Sequence, residues 1–306
     1  MSKTKTKQKM NRAAYKEHCW GLAFVAPPFI GFCIFMAFPI VFALIASMTK
    51  WNGMNSMLDN FVGFQNYAKL LTDAKFWKVL GNTIVYMLGI PIGMALAMLI
   101  AVGMNRKMRG IKILRTLYYV PVVSSLVAVA ILWMWVFNYD YGLLNQIVKA
   151  FGGENVRWLG TDLIFWAMMI AFIFGSVGYY MLIFISGIEG IPQDLYEAAT
   201  IDGANIFDRF FQITLPLLKG VIRTCVTFWS INATTFFLWT KMFSPINTET
   251  ATIVPVVYLY DTVFGGKGVV ERDAGAGAAI GVVLTLIIIV VYVITNLILK
   301  DSDLEY

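Results

Sequence analysis

The sequence has very little charge. Asp, Glu, Lys and Arg together make up 14 % of its 306 residues, whereas about a quarter of a typical soluble domain is charged. This scarcity argues against an ordinary water-soluble protein, because a soluble surface needs many more charged side chains. Hydrophobic residues account for 59 % of the chain, and the mean hydropathy is +0.71. The composition therefore indicates a membrane protein.

Residue types that carry catalytic or metal chemistry are also scarce. His18 is the single histidine, and it has no Ser or Cys partner in view. The three cysteines, Cys19, Cys33 and Cys225, lie in or beside apolar runs without CxxC spacing, which favours small apolar fillers over a disulfide or metal framework. We therefore predict no catalytic site and no metal site.

Two further absences limit the function. No GxxxxGK[ST] phosphate-binding loop occurs, so the chain cannot be an ATPase and would need a partner to use ATP. Aromatic and basic residues are not interleaved as they are in nucleic-acid-binding proteins, and we predict no nucleic-acid partner. The net charge of +6 is interpreted as charge that sets the orientation in the membrane.

Long apolar runs predict the fold. A helix that crosses the bilayer needs about 20 mostly apolar residues, and its backbone must be hydrogen-bonded within the segment. Pro27, Pro28 and Pro39 predict that the first run is kinked or that it starts as an interfacial turn. We expect an all-α, polytopic membrane protein of six transmembrane helices. The predicted spans are about 20–48, 79–104, 113–137, 163–187, 215–240 and 274–299.

Charge distribution predicts the orientation. Most of the 24 Lys and Arg residues lie in the N-terminal tail and in or beside the segments that follow the second and fourth spans. The positive-inside rule then places both termini in the cytoplasm. The predicted organisation is a basic cytoplasmic tail at 1–19, a transmembrane domain at 20–299 and a cytoplasmic C-terminal tail at 300–306.

Outer segments and small residues add local predictions. Residues 66–80 and 143–151 are amphipathic and are expected to form helices at the membrane interface, while 252–264 is too short to span. The pairs Gly89–Gly93 and Gly277–Gly281 form GxxxG motifs, which predict close helix packing within the protein or against a partner.

The cytoplasmic segment 190–216 is unusually elaborate for a connection. Pro192 suits the first turn of one short helix, and Gly203 suits the turn after it. Asn205 and Asp208 resemble a capping box for a second short helix. One interpretation is that the segment is a helical loop that only connects two spans. The other is docking into a groove of another protein, because small alanines lie beside an acidic side chain at residues 197–199.

The residues of this segment resemble a family motif. Glu-Ala-Ala, three residues, Gly, nine residues, Ile, one residue and Leu-Pro is the EAA motif of ABC importer permeases. The sequence "IDGA", which includes Asp202, and the stretches 61–71 and 118–148 resemble the carbohydrate branch, in particular the first permease of maltose- and glycerol-phosphate-type importers. The chain matches the motif with Glu197, Ala198, Ala199, Gly203, Ile213, Leu215 and Pro216.

The resemblance implies a type I ABC importer permease in a bacterial or archaeal cytoplasmic membrane. Its coupling helix would lie in a cleft of a cytoplasmic ATPase, with Glu197 paired to that subunit, Ala198 and Ala199 allowing close approach, and Gly203 making the turn. The implied partners are a second homologous permease, two ABC ATPase subunits that bind ATP and Mg, an extracytoplasmic solute-binding protein, and a carbohydrate substrate.

Polar residues of the fifth span are candidates for the substrate pathway. A Ser and Thr stripe lies on one side, although such hydroxyls often bond back to the helix backbone. Asn232 points roughly the other way and predicts either an interhelix hydrogen bond or a substrate contact. Aromatic faces near it could stack on sugar rings. The candidate pathway residues are Thr227, Trp229, Ser230, Asn232, Thr234 and, in the fourth span, Tyr180.

Other functions predict different residues in the spans and loops. An ABC permease for another solute, such as a polyamine, phosphate or an organic anion, is the nearest alternative. An anion importer would be expected to line its pathway with Arg or Lys, which the central parts of the spans lack. A secondary transporter would need buried carboxylates, and a membrane enzyme would need loop carboxylates or a metal cluster. Neither pattern stands out.

Overall fold

The computed structural model describes residues 12–54, 56–57, 60–105, 109–234, 236–244, 252–265 and 272–298, with side chains from Trp20 onward. These residues form helices and connecting turns, and their extended pairing is limited to one isolated bridge between Thr49 and Phe61. The all-α prediction is confirmed for this part of the chain. The C-terminal tail, residues 1–11 of the N-terminal tail and the side chain of His18 lie outside the described residues.

The helices of the described residues range in length from three to 26 residues. We number them in chain order: α1 Arg12–Phe32, α2 Phe38–Ala46, α3 Gln65–Thr72, α4 Ala74–Met87, α5 Gly89–Met104, α6 Ile111–Val123, α7 Leu126–Val136, α8 Leu143–Ala150, α9 Ile164–Glu189, α10 Gln193–Ile201, α11 Ile206–Arg209, α12 Leu215–Leu217, α13 Lys219–Thr234, α14 Phe237–Phe243, α15 Pro255–Phe264 and α16 Ala274–Ile298.

Four helical stretches in the described residues are long and apolar enough to cross a membrane, and a fifth span is formed if one bent pair is counted. They correspond to the first, second, fourth and sixth predicted spans. The fifth predicted span does not form one continuous helix. The four stretches are Trp20–Ala46, Ala74–Met104, Ile164–Glu189 and Ala274–Ile298.

The third predicted span is bent rather than straight. Helices α6 and α7 meet at an angle of 100°, and the residues between them, Ser124 and Ser125, are extended with ψ of 153° and 128°. The Ser124 hydroxyl donates to the Val120 carbonyl at 2.8 Å, and Pro121 lies inside the last turn of α6. A serine that bonds back to the helix competes with the helical continuation, which allows the chain to turn here.

The fifth predicted span, 215–240, is divided among α12, α13 and α14. Leu218 leaves helical geometry with ψ of 4°, and Phe236 does so with ψ of 34°. Phe236 is buried at this second break and packs on Tyr86 and Phe172, with ring centroids 4.5 and 4.8 Å away. The sequence pattern missed both breaks, and the one at Phe236 depends on packing between side chains that are distant in the sequence.

Two π-helical turns explain how prolines fit inside long helices. Cys33–Ala37 precedes Pro39, and Phe210–Thr214 precedes Pro216. A proline ring clashes with the carbonyl four residues earlier in an α-helix, and a π-turn widens the backbone to i→i+5 bonds. Accordingly, the Phe38 and Leu215 amides donate to the carbonyls of Cys33 and Phe210. The first span contains one of these π-turns and runs as one helical stretch from Trp20 to Ala46, and the predicted kink stays a prediction.

Glycines allow the helices to approach closely inside the protein. A Cβ on Gly93 would lie 2.2 Å from the Trp229 ring, and one on Gly89 would lie 2.7 Å from the Met169 sulfur. On α16, a Cβ on Gly277 would lie 2.2 Å from Val263 of α15. Both GxxxG motifs therefore act in intramolecular packing, as the sequence indicated.

Buried or capping polar side chains organise the segments that were predicted to lie on the outer side. The helix predicted over 66–80 is interrupted at Asp73, which is extended and caps α4 by accepting from the Lys75 amide at 2.8 Å. Its other carboxylate oxygen accepts from the Tyr258 hydroxyl. Burial and this bond raise the pKa of Tyr258. Asp73 therefore joins α4 to α15.

A buried asparagine organises the segment around α8. The Asn145 amide donates to the carbonyls of Asn138, Tyr139 and Val156, and its carbonyl accepts from the Val156 amide and the Trp158 indole, all at 3.0–3.3 Å. Asn145 is fully buried, and its side chain joins residues 138–139, which precede α8, to residues 156–158, which follow it.

A candidate coupling segment and solute cavity

The segment 190–216, which we call the coupling segment after its predicted role, begins with α10, and Pro192 lies one position before the first turn where it was predicted. Pro192 is the N-cap of α10, and Asp194 lies in its first turn. Asp202 is the C-cap, and Gly203 follows with φ of +79°, a conformation that favours glycine. The Ala204 amide then donates to the Ala199 carbonyl at 2.9 Å. These local interactions end α10 and turn the chain.

The second short helix, α11, is closed by the expected capping box. The side-chain Oδ1 of Asn205 accepts from the backbone amides of Phe207 and Asp208 at 2.7 and 3.0 Å. In return, the Asp208 carboxylate accepts from the Asn205 amide at 3.1 Å. This reciprocal arrangement satisfies three amide groups at the helix start and fixes the second turn of the segment.

The coupling segment presents a mixed surface. Glu197 and Ala198 are exposed and Ala199 is half-buried. The Gln193 amide donates to the Glu197 carboxylate at 3.1 Å. Large apolar side chains are exposed next to them, with Ile201 86 % and Phe207 73 % exposed. An acidic group beside small and apolar residues is suited to contact with another protein, because burial of the apolar surface against a partner is favourable in free energy.

Two side-chain hydrogen bonds join α10 to the later part of the coupling segment. The Tyr196 and Thr214 hydroxyls share a hydrogen bond of 2.9 Å, and Arg209 donates to the Thr200 hydroxyl at 3.2 Å. The other predicted motif residues, Ile213, Leu215 and Pro216, are half-buried on the return into the membrane region. At the preceding helix end, Arg115 pairs with Glu189 at 3.1 Å.

A cavity of about 540 Å³ lies among α6, α7, α9, α13 and α14. We call it the solute cavity. Among the described residues that line it, none is charged. Aromatic rings dominate its wall, with a few hydroxyl and amide groups. The lining includes Ser124, Ser176, Tyr179, Tyr180, Asn232, Phe236, Phe237 and Trp239.

Two of the six predicted pathway residues line the solute cavity. Asn232 is exposed to it, and its amide group donates to the Tyr180 hydroxyl at 3.4 Å. Trp229 lies behind this wall, fully buried, with its ring 5.1 Å from that of Tyr180. Trp229 therefore packs behind Tyr180 and does not line the solute cavity.

The Ser and Thr stripe of α13 bonds back to its own backbone. The hydroxyls of Thr227, Ser230 and Thr234 donate to the carbonyls four residues earlier, at 2.8–2.9 Å. The structure does not place them in the solute cavity wall. A pathway role for them stays a prediction. The sequence had left open that these hydroxyls only bond back to their own helix, and the observed hydrogen bonds agree with that alternative.

Sequence reasoning missed several lining residues. Ser124 enters the wall because of the bend between α6 and α7, and Ser176 and Tyr179 enter it on α9. Phe237 and Trp239 enter it because the fifth span is broken at Phe236. The Ser-Ser pair after Pro121 could have indicated the bend between α6 and α7. No local sequence pattern indicates the break at Phe236.

Comparisons with known proteins agree with this architecture. Residues 89–302 match the family described as binding-protein-dependent transport system inner membrane component. A probable ABC transporter permease protein, YesP of Bacillus subtilis, is 34 % identical over 230 residues, covering 74 % of this chain and 73 % of the relative. The diacetylchitobiose uptake system permease protein NgcF of Streptomyces coelicolor is 30 % identical over 284 residues, covering 88 % and 79 %.

The fold also resembles a solved structure. A chain of a bacterial alginate ABC transporter, solved in complex with an alginate pentasaccharide-bound periplasmic protein, superimposes with a TM-score of 0.80. The match covers 93 % of this chain and 95 % of the other, at 21 % sequence identity. At that identity, the likeness concerns the fold.

Proposed function

The chain belongs to the family of binding-protein-dependent transport system inner membrane components, and from this we propose that it is the transmembrane permease subunit of an ATP-driven carbohydrate importer. The observation that carries the proposal is the full EAA pattern on an exposed, doubly capped helical segment. The permease alternates access to the two sides of the membrane, driven by a partner ATPase that binds ATP and Mg.

The coupling segment is the contact with the ATPase. Glu197 supplies a charge for pairing, Ala198 and Ala199 allow a close approach, and exposed Ile201 and Phe207 supply apolar area. The hydrogen bonds between α10 and the return segment support this role, since they make the segment one rigid unit. A force on α10 is then transmitted to α9 and α13.

A carbohydrate is the solute class that the cavity supports. Aromatic rings offer flat apolar faces, and Asn232, Ser124 and Ser176 offer neutral hydrogen-bonding groups, a combination that suits uncharged polyhydroxy rings. Similar permeases carry names such as diacetylchitobiose uptake and lactose transport. A solute such as phosphate or an organic anion is less favoured, because the described lining offers no cation.

The assembly follows from the same proposal. Six spans with both termini in the cytoplasm are expected if α6–α7 and α12–α14 each count as one broken span. The partners are a second homologous permease, two cytoplasmic ABC ATPases and an extracytoplasmic solute-binding protein, in a bacterial or archaeal cytoplasmic membrane. The lipid bilayer covers the outward faces of α1, α2 and α16, which are largely exposed in the single chain.

Copurification and uptake test the coupling role. The chain is expected to copurify with an ABC ATPase, and Glu197→Lys is expected to abolish substrate-stimulated ATP hydrolysis and uptake by reversing the charge at the contact. Glu154→Lys, at an exposed position of the outer segment, is the matched control and should leave both unchanged. Intact uptake in Glu197→Lys would refute the coupling role.

The solute cavity is tested separately. Asn232→Ala removes the amide that faces the cavity and bonds Tyr180, and we expect a raised KM for uptake with near-normal basal ATP hydrolysis. Unchanged uptake and unchanged substrate-stimulated hydrolysis would remove Asn232 from the proposed site.

A further inference from the structure

Arg115 joins the ends of two other helices to α6. Its guanidinium donates through one Nη atom to the Glu189 carboxylate at 3.1 Å and through the other to the Met104 carbonyl at 3.0 Å. Met104 is the last residue of α5, and Glu189 is the last residue of α9. One side chain of α6 therefore holds the C-terminal ends of both helices.

Helix electrostatics explain why a guanidinium suits this position. The last carbonyls of a helix lack partners within the helix, and this end carries a partial negative charge that favours a cation. Neither α5 nor α9 has a basic residue in its own last turn, and the Glu189 carboxylate adds negative charge to the end of α9. Arg115 offsets both from the neighbouring helix, because its planar fork reaches two acceptors at once.

Helices α6 and α9 are also in close contact beyond the ion pair. A Cβ on Gly178 of α9 would overlap the Tyr118 carbonyl oxygen of α6, so the two backbones touch about one turn along α6 from Arg115. Further along the chain, Pro121 and Ser124 lie in the wall of the solute cavity. Helix α6 therefore runs from the Arg115 contact to the cavity wall.

The coupling segment begins directly after Glu189. The Gly190 amide donates to the carbonyls of Ser186 and Gly187, both at 3.2 Å, and α10 begins at Gln193. A displacement of α10 therefore reaches the fold first at the end of α9. Hydrogen bonds from the Arg115 side chain join that end to α5 and α6.

We propose that Arg115 is a positioning residue for coupling, which makes α5 and α6 follow the end of α9 when an ATPase displaces the coupling segment. This inference rests on the proposed transport function and deepens it by naming the contact through which the movement spreads beyond α9. Because α6 carries Pro121 and ends at Ser124, the movement reaches the wall of the solute cavity.

A positioning role and a purely stabilising role predict different results. The side chains of Arg115 and Glu189 are 28 % and 53 % exposed, and ion pairs that solvent reaches contribute little to stability. Loss of the pair should therefore leave the Tm almost unchanged. Its effect should appear in how α6 and α9 move relative to each other when nucleotide is trapped.

Distances between spin labels measure this movement without knowledge of the substrate. The three native cysteines are replaced by alanine, and labels are attached at Ile113→Cys on α6 and Ser186→Cys on α9, both at exposed positions. The complete transporter, purified with its ATPase and reconstituted, is studied by dipolar electron paramagnetic resonance. The nucleotide-free state is compared with the state trapped with ATP and vanadate.

The distance distribution of the labelled parent should be narrow and the same in both states. Glu189→Ala removes the acceptor, so the distribution should broaden and shift in the trapped state while the Tm stays unchanged. Glu189→Gln keeps an oxygen to which Arg115 can donate, and it should behave like the parent. Lys112→Ala is the matched control, because it removes an exposed cation of the same helix, and it should also behave like the parent.

The positioning role is refuted if the distribution already differs between the two states of the parent, or if Glu189→Ala remains as narrow as the parent in the trapped state. If Glu189→Ala does not assemble, Arg115→Lys must show the same broadening, because an ammonium keeps the charge but lacks the fork that reaches both acceptors. Failure of the transport function itself has a different signature: no ATPase copurifies and vanadate traps no ADP, whatever the label distances.

Discussion

Gly93 offers a sharp test of the packing between α5 and α13. A Cβ at this position would lie 2.2 Å from Cη2 and 2.5 Å from Cζ3 of the Trp229 indole. Carbon atoms in contact are about 3.5–4.0 Å apart, so Gly93→Ala forces the ring to move by more than an ångström. We expect this substitution to destabilise the protein.

The magnitude follows from how firmly Trp229 is held. Its ring is fully buried and lies between Phe172 and Tyr180, with centroids 5.0 and 5.1 Å away. Overpacking of such a site costs about 1–3 kcal/mol. Replacing glycine by alanine in a helix also gains about 1 kcal/mol of helix propensity, so a control must share this gain.

Gly103→Ala is that control, because Gly103 lies in the same helix and a Cβ there would meet nothing within 4 Å. The propensity gain cancels between the two variants, and Gly93→Ala should be less stable than Gly103→Ala by about 1–3 kcal/mol. Thermal unfolding of the purified protein in detergent measures the difference as a lower Tm for Gly93→Ala.

Equal Tm values for the two variants would refute the reasoning. A double variant adds a direct check on the partner. Trp229→Phe shortens the ring at the atoms that meet the new Cβ, so Gly93→Ala should cost clearly less in that background. A cost that is the same in both backgrounds would show that Trp229 does not cause the destabilisation.

Three further substitutions test other parts of the structure. Asn145→Ala should make the outer segment around α8 more sensitive to limited proteolysis, because it leaves buried backbone groups unpaired at a cost of about 2 kcal/mol; unchanged cleavage would refute that role. Lys241 pairs with the Asp261 carboxylate at 2.9 Å in a half-buried setting, so Lys241→Gln should lower the Tm whereas Lys149→Gln, at an exposed position, should not; equal effects would argue against the pair. Asn205→Ala should weaken the cap of α11 by about 1 kcal/mol and speed amide exchange there without changing α9, and unchanged exchange would contradict the capping box.

The coupling segment could be predicted almost residue by residue because its structure is local. Gly203 and the Asn205–Asp208 pair act on the backbone within a few residues and occupy the predicted positions, whereas Pro192 is the N-cap of α10 rather than a residue of its first turn. The membrane character and four of the span positions followed from apolar length alone, since backbone in lipid must bond within its own segment.

The solute cavity could be predicted only in part. Asn232 and Tyr180 were identified from the cost of a buried amide and from ring type, and they line the wall. Ser176, Tyr179 and Trp239 were missed because their position depends on where α6, α7 and α14 turn. Helical periodicity shows which residues share a face but not which neighbouring helix that face meets.

What the sequence determined by itself was therefore the class of protein, the membrane-spanning character and the capped coupling segment, because apolar length and short-range hydrogen bonds decide them. Tertiary structure alone decided the break at Phe236 and the place of Tyr179 in the wall of the solute cavity. These features arise where side chains distant in the sequence compete for the same space, and packing settles that competition.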